Sequence, residues 1–297
     1  MHYKERELLN GDILSRRWTG KAVKDSERLK FFVDFVFERF HRRDMVPPDP
    51  LQCVYAYERL EDREVAALLA ASLAVGRAQS IVDQVQGVLE RLGNSPAFFL
   101  RNANAADLMA VCRGFRYRFF HEEDLRSFLK SLSHVLRTYG SLESAMASCL
   151  KRSRGDLVKG IDLFAGLMTR SGSAEPPARH RLVARPSCGS ACKRWHLFLR
   201  WLVRCDAVDP GGWSCLHPRD LMVPVDTHML AIAQTCGLTQ RRHADMKTAM
   251  EITEAFRRLQ PEDPVRYDFS LTRMAMRERE LLEKWWELFQ HSKGGTS

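Results

Sequence analysis

The chain has 297 residues, 45% of them hydrophobic, and a formal net charge of +9. That length allows one large domain or two ordinary ones, and that apolar fraction supports a packed core rather than a disordered or fibrous chain. A basic balance suits a polyanionic partner and carries no information about fold.

The opening "MHYKERELLNGD" is charged from the start and reads as no secretion signal, while the strongest apolar run, 65–75, is too short to cross a bilayer. The eight cysteines are therefore expected as free thiols in a reducing cytoplasm, away from membranes. Residues 27–43 place Leu29, Phe32, Val33, Val36 and Phe40 on one helical face, and "VPPDP" (46–50) breaks the chain. Residues 62–75 begin with an acid and continue apolar on all sides, as a central core helix does. After the interruption "GRAQ" (76–79), residues 80–92 resume with Ile81, Val85, Val88 and Leu92. The stretch "FRYRF" (115–119) interleaves aromatics with Arg116 and Arg118, a pattern that suits nucleic acid and equally an amphipathic surface. Helices are predicted at 122–137 and 142–150, then a long Ser-, Gly- and Pro-rich loop over 170–192, then a helix at 193–204. A polar loop spans 206–220, and further helices start at Thr227 and cover 246–259 and 267–290. No alternating strand and no fixed-period repeat emerges, so the expected fold class is all-α with one basic loop insertion. The expected organisation is an N-terminal helical segment (1–61), a helical core (62–276), and a C-terminal helix and tail (277–297).

Residues 151–204 hold 12 Lys or Arg against 3 Asp or Glu, a surplus as large as that of the whole chain. A surplus gathered in one place is the electrostatic footprint of nucleic-acid binding, with Arg152 and Arg154 among its candidate phosphate contacts. A solvated basic linker gives the same tally. Cys188, Cys192, Cys205 and Cys215 match no tight zinc spacing, so no metal site is expected.

The segment "VPVDTHMLAIAQTCGL" (223–238) sets Asp226 before an apolar run in which Met229, Leu230, Ala233 and Leu238 recur at roughly helical spacing. Asp226 is then an N-cap, or a cap carboxylate that also faces a substrate. Upstream, Lys193 opens the apolar helix 193–204. Together the two segments resemble the helix-hairpin-helix DNA glycosylases, the superfamily of endonuclease III and 8-oxoguanine glycosylase. Its signature is a hairpin ending in Gly-x-Lys, a helix, and a segment such as Pro-Val-Asp-Thr-His with an essential Asp. "VPVDTHM" matches the last element almost letter for letter. "RPSCGSACKRWHLFLRWLV" matches the first loosely, with Pro186, Gly189 and Lys193 present but three residues between the glycine and the lysine. The interval from Lys193 to Asp226 is longer than in most of the superfamily and is similar to that of an archaeal 8-oxoguanine glycosylase branch. The chain also resembles a bacterial family of about this length that shares the elements "KRxxLFLRW", "DPGGW", "PxDTH" and "DPVxYDFxLTR".

The resemblance implies a helix-hairpin-helix glycosylase-like fold and a base-excision repair glycosylase, with possible lyase activity, acting on a flipped damaged base in duplex DNA. An oxidised purine is the first expectation. Lys193 would attack C1′ of the sugar and form a Schiff base, and Asp226 would stabilise positive charge on that sugar. Lys193 has a plainer reading as a phosphate contact or a solvent-facing charge. Arg77 or Gln79, after the first core helix, would fill the gap left by the base, or would simply belong to a helix-breaking loop. Gly189, Ser190 and Arg194 would bind phosphate at a helix start. Trp195 would border Lys193, His228 would be structural, and Tyr267 and Asp268 would close the pocket, with Asp268 alternatively capping the last helix. No iron–sulfur loop follows residue 236, so no cofactor is expected, and the expected state is a monomer. The rival from another class is a non-catalytic nucleic-acid-binding protein on the same scaffold.

Overall fold

The protein is seen here as a computed structural model that describes residues 25–169, 181–188 and 190–284. Residues 1–24, most of the loop at 170–192 including 170–180 and Gly189, and the tail from 285 lie outside the described residues.

Helix α1 (Asp25–Phe40) buries Leu29, Phe32, Val33, Val36 and Phe40, the face its periodicity marks. A 3-10 segment, Pro50–Ala56, is capped by Asp49 and leads to α2 (Leu60–Ser72). Helix α2 is the axis of the molecule: Val65, Ala66, Ala67, Leu69 and Ala70 are fully buried, and it packs against that 3-10 segment and four other helices. Its two buried acids, Asp62 and Glu64, reach sideways. Asp62 accepts from Ala97 N (2.9 Å) at the start of α4 (Pro96–Asn102). Glu64 accepts from Leu142 N (2.8 Å) and Glu143 N (2.9 Å) at the start of α7 (Leu142–Arg152). A carboxylate at a helix N-terminus meets orphan N–H donors and a favourable dipole, which is why acids are tolerated inside an apolar helix.

Helix α3 (Ala78–Leu92) buries Ile81, Val85, Val88 and Leu92. Two short helices, α4 and α5 (Ala105–Cys112), and a two-stranded hairpin, β1 (Arg116–Tyr117) and β2 (Phe120–His121), precede α6 (Glu122–Tyr139). Helix α8 (Leu157–Leu167) lies inside the basic stretch and packs on α7; a Cβ on Gly160 would come within 2.9 Å of Leu150 Cδ2, so the glycine permits that approach. The remaining helices are α9 (Lys193–Val203), α10 (Thr227–Thr235), α11 (Met246–Leu259) and α12 (Asp268–Arg277). The predicted single helix at 267–290 is interrupted: Glu278 leaves helical geometry with ψ 57, and 285–290 lie outside the described residues.

The architecture is all-α apart from the hairpin. One hydrophobic cluster runs from Leu29 to Leu282, and α1 packs on α12. The segments expected at 1–61, 62–276 and 277–297 thus contribute to one core within the described residues. None of the described helices is long and apolar enough to cross a membrane.

Candidate functional site

Lys193 is the first residue of α9, and Asp226 is the N-cap of α10. The Asp226 carboxylate does two things at once. Its Oδ1 accepts from Met229 N at 2.9 Å, the bond of an N-cap, and its Oδ2 accepts from Lys193 Nζ at 2.7 Å. The two helix starts therefore converge on one ion pair. The side chains keep 33% and 23% of their surface exposed, so the pair is neither sealed in the core nor free in solution. Burial pushes the Asp226 carboxyl up, but the Lys193 charge and hydrogen bond, the Met229 N–H and neighbouring His228 outweigh it and hold it below its ordinary value. The carboxylate is ionised at neutral pH.

The turn into α9 is backbone-specific. Cys192 holds φ +50, a left-handed conformation that a side chain adopts at a cost, and its N–H donates to Ser190 Oγ at 3.2 Å. Ser190 itself is exposed and bridges to Asp245; Gly189 lies outside the described residues.

The Arg194 guanidinium is bonded to backbone carbonyls. It donates to Ser72 O (2.9 Å), Leu182 O (3.0 Å) and Arg181 O (3.2 Å), so it satisfies the last carbonyl of α2 and fixes the preceding loop. Trp195 is buried, donates from Nε1 to Ala184 O (2.6 Å) and packs edge-on against Phe164. His228 is exposed beside Asp226. Tyr267 is fully buried and far from a rim position: its hydroxyl donates to Asp34 Oδ1 (2.6 Å) and accepts from Lys30 Nζ (3.1 Å) on α1. Arg77 and Gln79 are exposed at the start of α3, where Gln79 donates to Asp83 (2.8 Å). Arg152 and Arg154 are exposed at the end of α7, and among the described residues no hydrogen bond or ion pair joins them to Lys193 or Asp226.

Asp268 is the buried neighbour of the site. It opens α12, pairs with Arg200 Nη1, and lies close enough to Asp226 and Lys193 to feel both charges. Burial drives its carboxyl up to about 6; Arg200 opposes the rise, Asp226 adds to it and Lys193 opposes it. Arg200 is shared: its Nε also donates to Asp209 (3.2 Å) in the 206–220 loop. Arg204, just past the last turn of α9, pairs with the same Asp209, with Asp206 (2.7 Å) and with Asp263 (3.0 Å). The rest of that loop is equally fixed. Trp213 Nε1 donates to Glu64 (2.8 Å), and burial lifts the Glu64 carboxyl to about 7 although three N–H groups donate to it. Gly212 holds φ +125, and a Cβ there would lie 2.4 Å from Leu60 Cδ1.

These contacts were not foreseen from the sequence: Glu64, Arg200, Arg204, Asp209 and Asp263. A signal existed. Arg200 and Arg204 follow Lys193 at seven and eleven positions, on the same helical stripe, within a run otherwise apolar. The basic stretch also looks different in three dimensions. Lys159 and Arg185 pair with Asp156 and Asp162, acids already in that tally, and Lys193, Arg200 and Arg204 pair with acids outside 151–204, so part of the surplus is neutralised by the rest of the chain. Among the described residues no group of His, Cys, Asp and Glu is arranged to hold a metal ion.

The family described as "Protein of unknown function (DUF2400)" matches residues 49–277, a span that takes in the 3-10 segment, the Lys193–Asp226 pair and all of α12. The chain belongs to that family. No curated protein and no solved structure matches it. The family span begins at Asp49, which caps the 3-10 segment and pairs with Arg273, and ends at Arg277, the last residue of α12.

Proposed function

We propose that the chain is a helix-hairpin-helix-type DNA glycosylase with lyase chemistry, acting on a damaged base turned out of duplex DNA, an oxidised purine first among candidates. The observation that carries this reading is the 2.7 Å contact between Lys193 Nζ and Asp226 Oδ2 across the starts of two helices. The two groups that a sugar-directed substitution needs are thereby within reach of one atom.

In this reading the sugar C1′ sits beside both groups. As the N-glycosidic bond lengthens, its electron pair leaves with the base, which takes up a proton, and positive charge develops on the sugar. The ionised Asp226 faces that charge; a fixed carboxylate in a water-poor site stabilises it without reorganising. Lys193, having lost a proton, adds its lone pair to C1′, and ring opening gives an iminium. Loss of a C2′ proton then expels the 3′ phosphate and nicks the strand. Asp226 also orders the first turn of α10, so the cap fixes the carboxylate where the reaction requires it.

The test is borohydride trapping on a panel of duplexes that each carry one lesion. Wild-type protein is expected to form a reduced covalent adduct with at least one of them, and Lys193→Gln to bind that duplex and form none. Wild-type protein that releases no base and traps on no lesion would overturn the proposal.

A further inference from the structure

A second surface gathers cations without carboxylate partners among the described residues around an exposed aromatic ring, on and beside the β1–β2 hairpin. Arg118 at its turn holds φ +52, and the next residue, Phe119, leaves 47% of its surface in water. Tyr117 and Phe120 face inward, Arg116 and Arg118 outward. Tyr117 Oη donates to Val75 O (2.7 Å), which pins the hairpin to the loop between α2 and α3. The Arg118 side chain lies over Gly76: a Cβ there would stand 2.7 Å from Arg118 Nη1 and 2.9 Å from Tyr117 Oη. With φ +117 as well, position 76 accepts glycine and little else. Arg181 Nη1 donates to Phe119 O (2.9 Å), and the Arg181 carbonyl accepts from Arg194, the neighbour of Lys193. Hydrogen bonds thus link the hairpin tip to the residue beside Lys193.

Arg77, Arg116, Arg118 and Arg181 are all exposed, and none has a carboxylate partner among the described residues. Elsewhere on the surface Arg42, Arg59, Arg126 and Arg257 are each paired with an acid. The acids closest in sequence to the hairpin are engaged: Glu122 accepts from Gly114 N, Asp124 from His121 N, and Glu123 from Arg126.

We propose that this hairpin is a second DNA contact, at which Phe119 stacks on a nucleobase that has lost its neighbour while Arg77, Arg116 and Arg118 hold flanking phosphates. It rests on DNA being the partner, as in the reading above, and adds where and in what state the strand is held. Four exposed guanidinium groups with no carboxylate partner among the described residues match a polyanion. Cations alone would suffice for a phosphate chain; the exposed ring between them fits the face of a base, which stacks on aromatics whatever its identity. In an intact duplex both faces of every base are covered, so the ring finds a free face only where a neighbour has left the stack.

Two duplexes of equal length test this by fluorescence anisotropy, one fully paired and one with a single stable abasic analogue. Wild-type protein should prefer the second. Phe119→Ala should reduce that preference about fivefold or more, the scale of one base–aromatic stack, and Phe119→Trp should retain it. Replacing Arg77, Arg116 and Arg118 with Ser should weaken both duplexes alike and flatten the salt slope by roughly 2.7, at ~0.9 per phosphate. Phe119 is on the surface, so its variants should melt with wild type. An unchanged preference in Phe119→Ala, or an unchanged slope in the triple variant, would overturn the proposal. Lys193→Gln separates the two readings: if it and wild type keep the Phe119-dependent preference while wild type releases no base, the chemistry fails and the hairpin stands. Base release with no Phe119 effect is the converse.

Discussion

Lys193 and Arg200 stand two turns apart on one face of α9, and each meets an aspartate at the start of another helix, Asp226 on α10 and Asp268 on α12. The surroundings differ. The Lys193 pair keeps about a quarter to a third of its surface in water, and among the described residues each partner has a single ionic contact. The Arg200 pair is buried, and it is one link in a chain of charges: Asp268, Arg200, Asp209, Arg204, then Asp206 and Asp263. One pair is partly open to solvent. The other is closed, and its guanidinium bridges two buried carboxylates. The buried chain holds the 206–220 loop and the start of α12 against α9, so the long interval between Lys193 and Asp226 is filled by anchored structure.

The largest expected effect comes from breaking the buried side. Arg200→Met leaves Asp268 buried without its cation and Asp209 with Arg204 alone, which should cost about 3–5 kcal/mol in urea unfolding, the usual scale for an orphaned buried charge. A loss under about 1 kcal/mol, as for exposed pairs, would erase the distinction between the two systems.

His196 sits between the two pairs on α9, buried, and among the described residues both ring nitrogens lack a partner. Burial lowers its imidazole from 6.5 to about 4. An unfolded chain therefore binds this proton first. The stability it permits is complete above about pH 6.5 and is lost as pH falls toward 4, by up to about 3 kcal/mol. His196→Leu should remove that acid-side loss, read as urea midpoints at pH 7 and pH 4.5. Identical pH dependence in the variant would show that the interior of α9 is wetter than the buried chain requires.

Asp268 joins the two systems and gives the smallest effect. With its carboxyl at about 6, it is charged at neutral pH and adds a negative charge near Lys193 and Asp226. Asp268→Asn removes that charge from beside the Lys193–Asp226 pair. The acid limb of base release should move to lower pH by up to about one unit. A limb that stays in place would mean the buried chain is electrically isolated from the open pair.

The two ends of this comparison were unequally legible in the sequence. Lys193 opening an apolar helix and Asp226 preceding one are local signals, and both helices start where those residues predict. The buried chain joins Arg200 and Arg204 to Asp209, Asp263 and Asp268, partners up to 68 positions away that no local pattern specifies. A linear count of charges for the same reason overstates the free basic surface of 151–204. Helix α8 was hidden by Gly160 and Gly166, which weaken a helical pattern, although Gly160 is what lets α8 approach α7. Helices α4 and α5 are too short, at 7 and 8 residues, to show a period. The hairpin alternates correctly at Phe115, Tyr117, Arg116 and Arg118, but strands of two residues leave only the pattern of an amphipathic surface.

Asp226→Asn tests the open pair most directly, with melting temperature and base release measured on the same preparation. Asn caps a helix about as well as Asp, and a partly exposed ion pair contributes little to stability, so melting should shift by no more than about 2 °C. On the proposed chemistry the variant lacks the charge that would face the sugar, so base release from a lesion that wild type processes should fall about a hundredfold or more. A variant that melts well below wild type yet releases that base at the wild-type rate would make Asp226 a helix cap and nothing further.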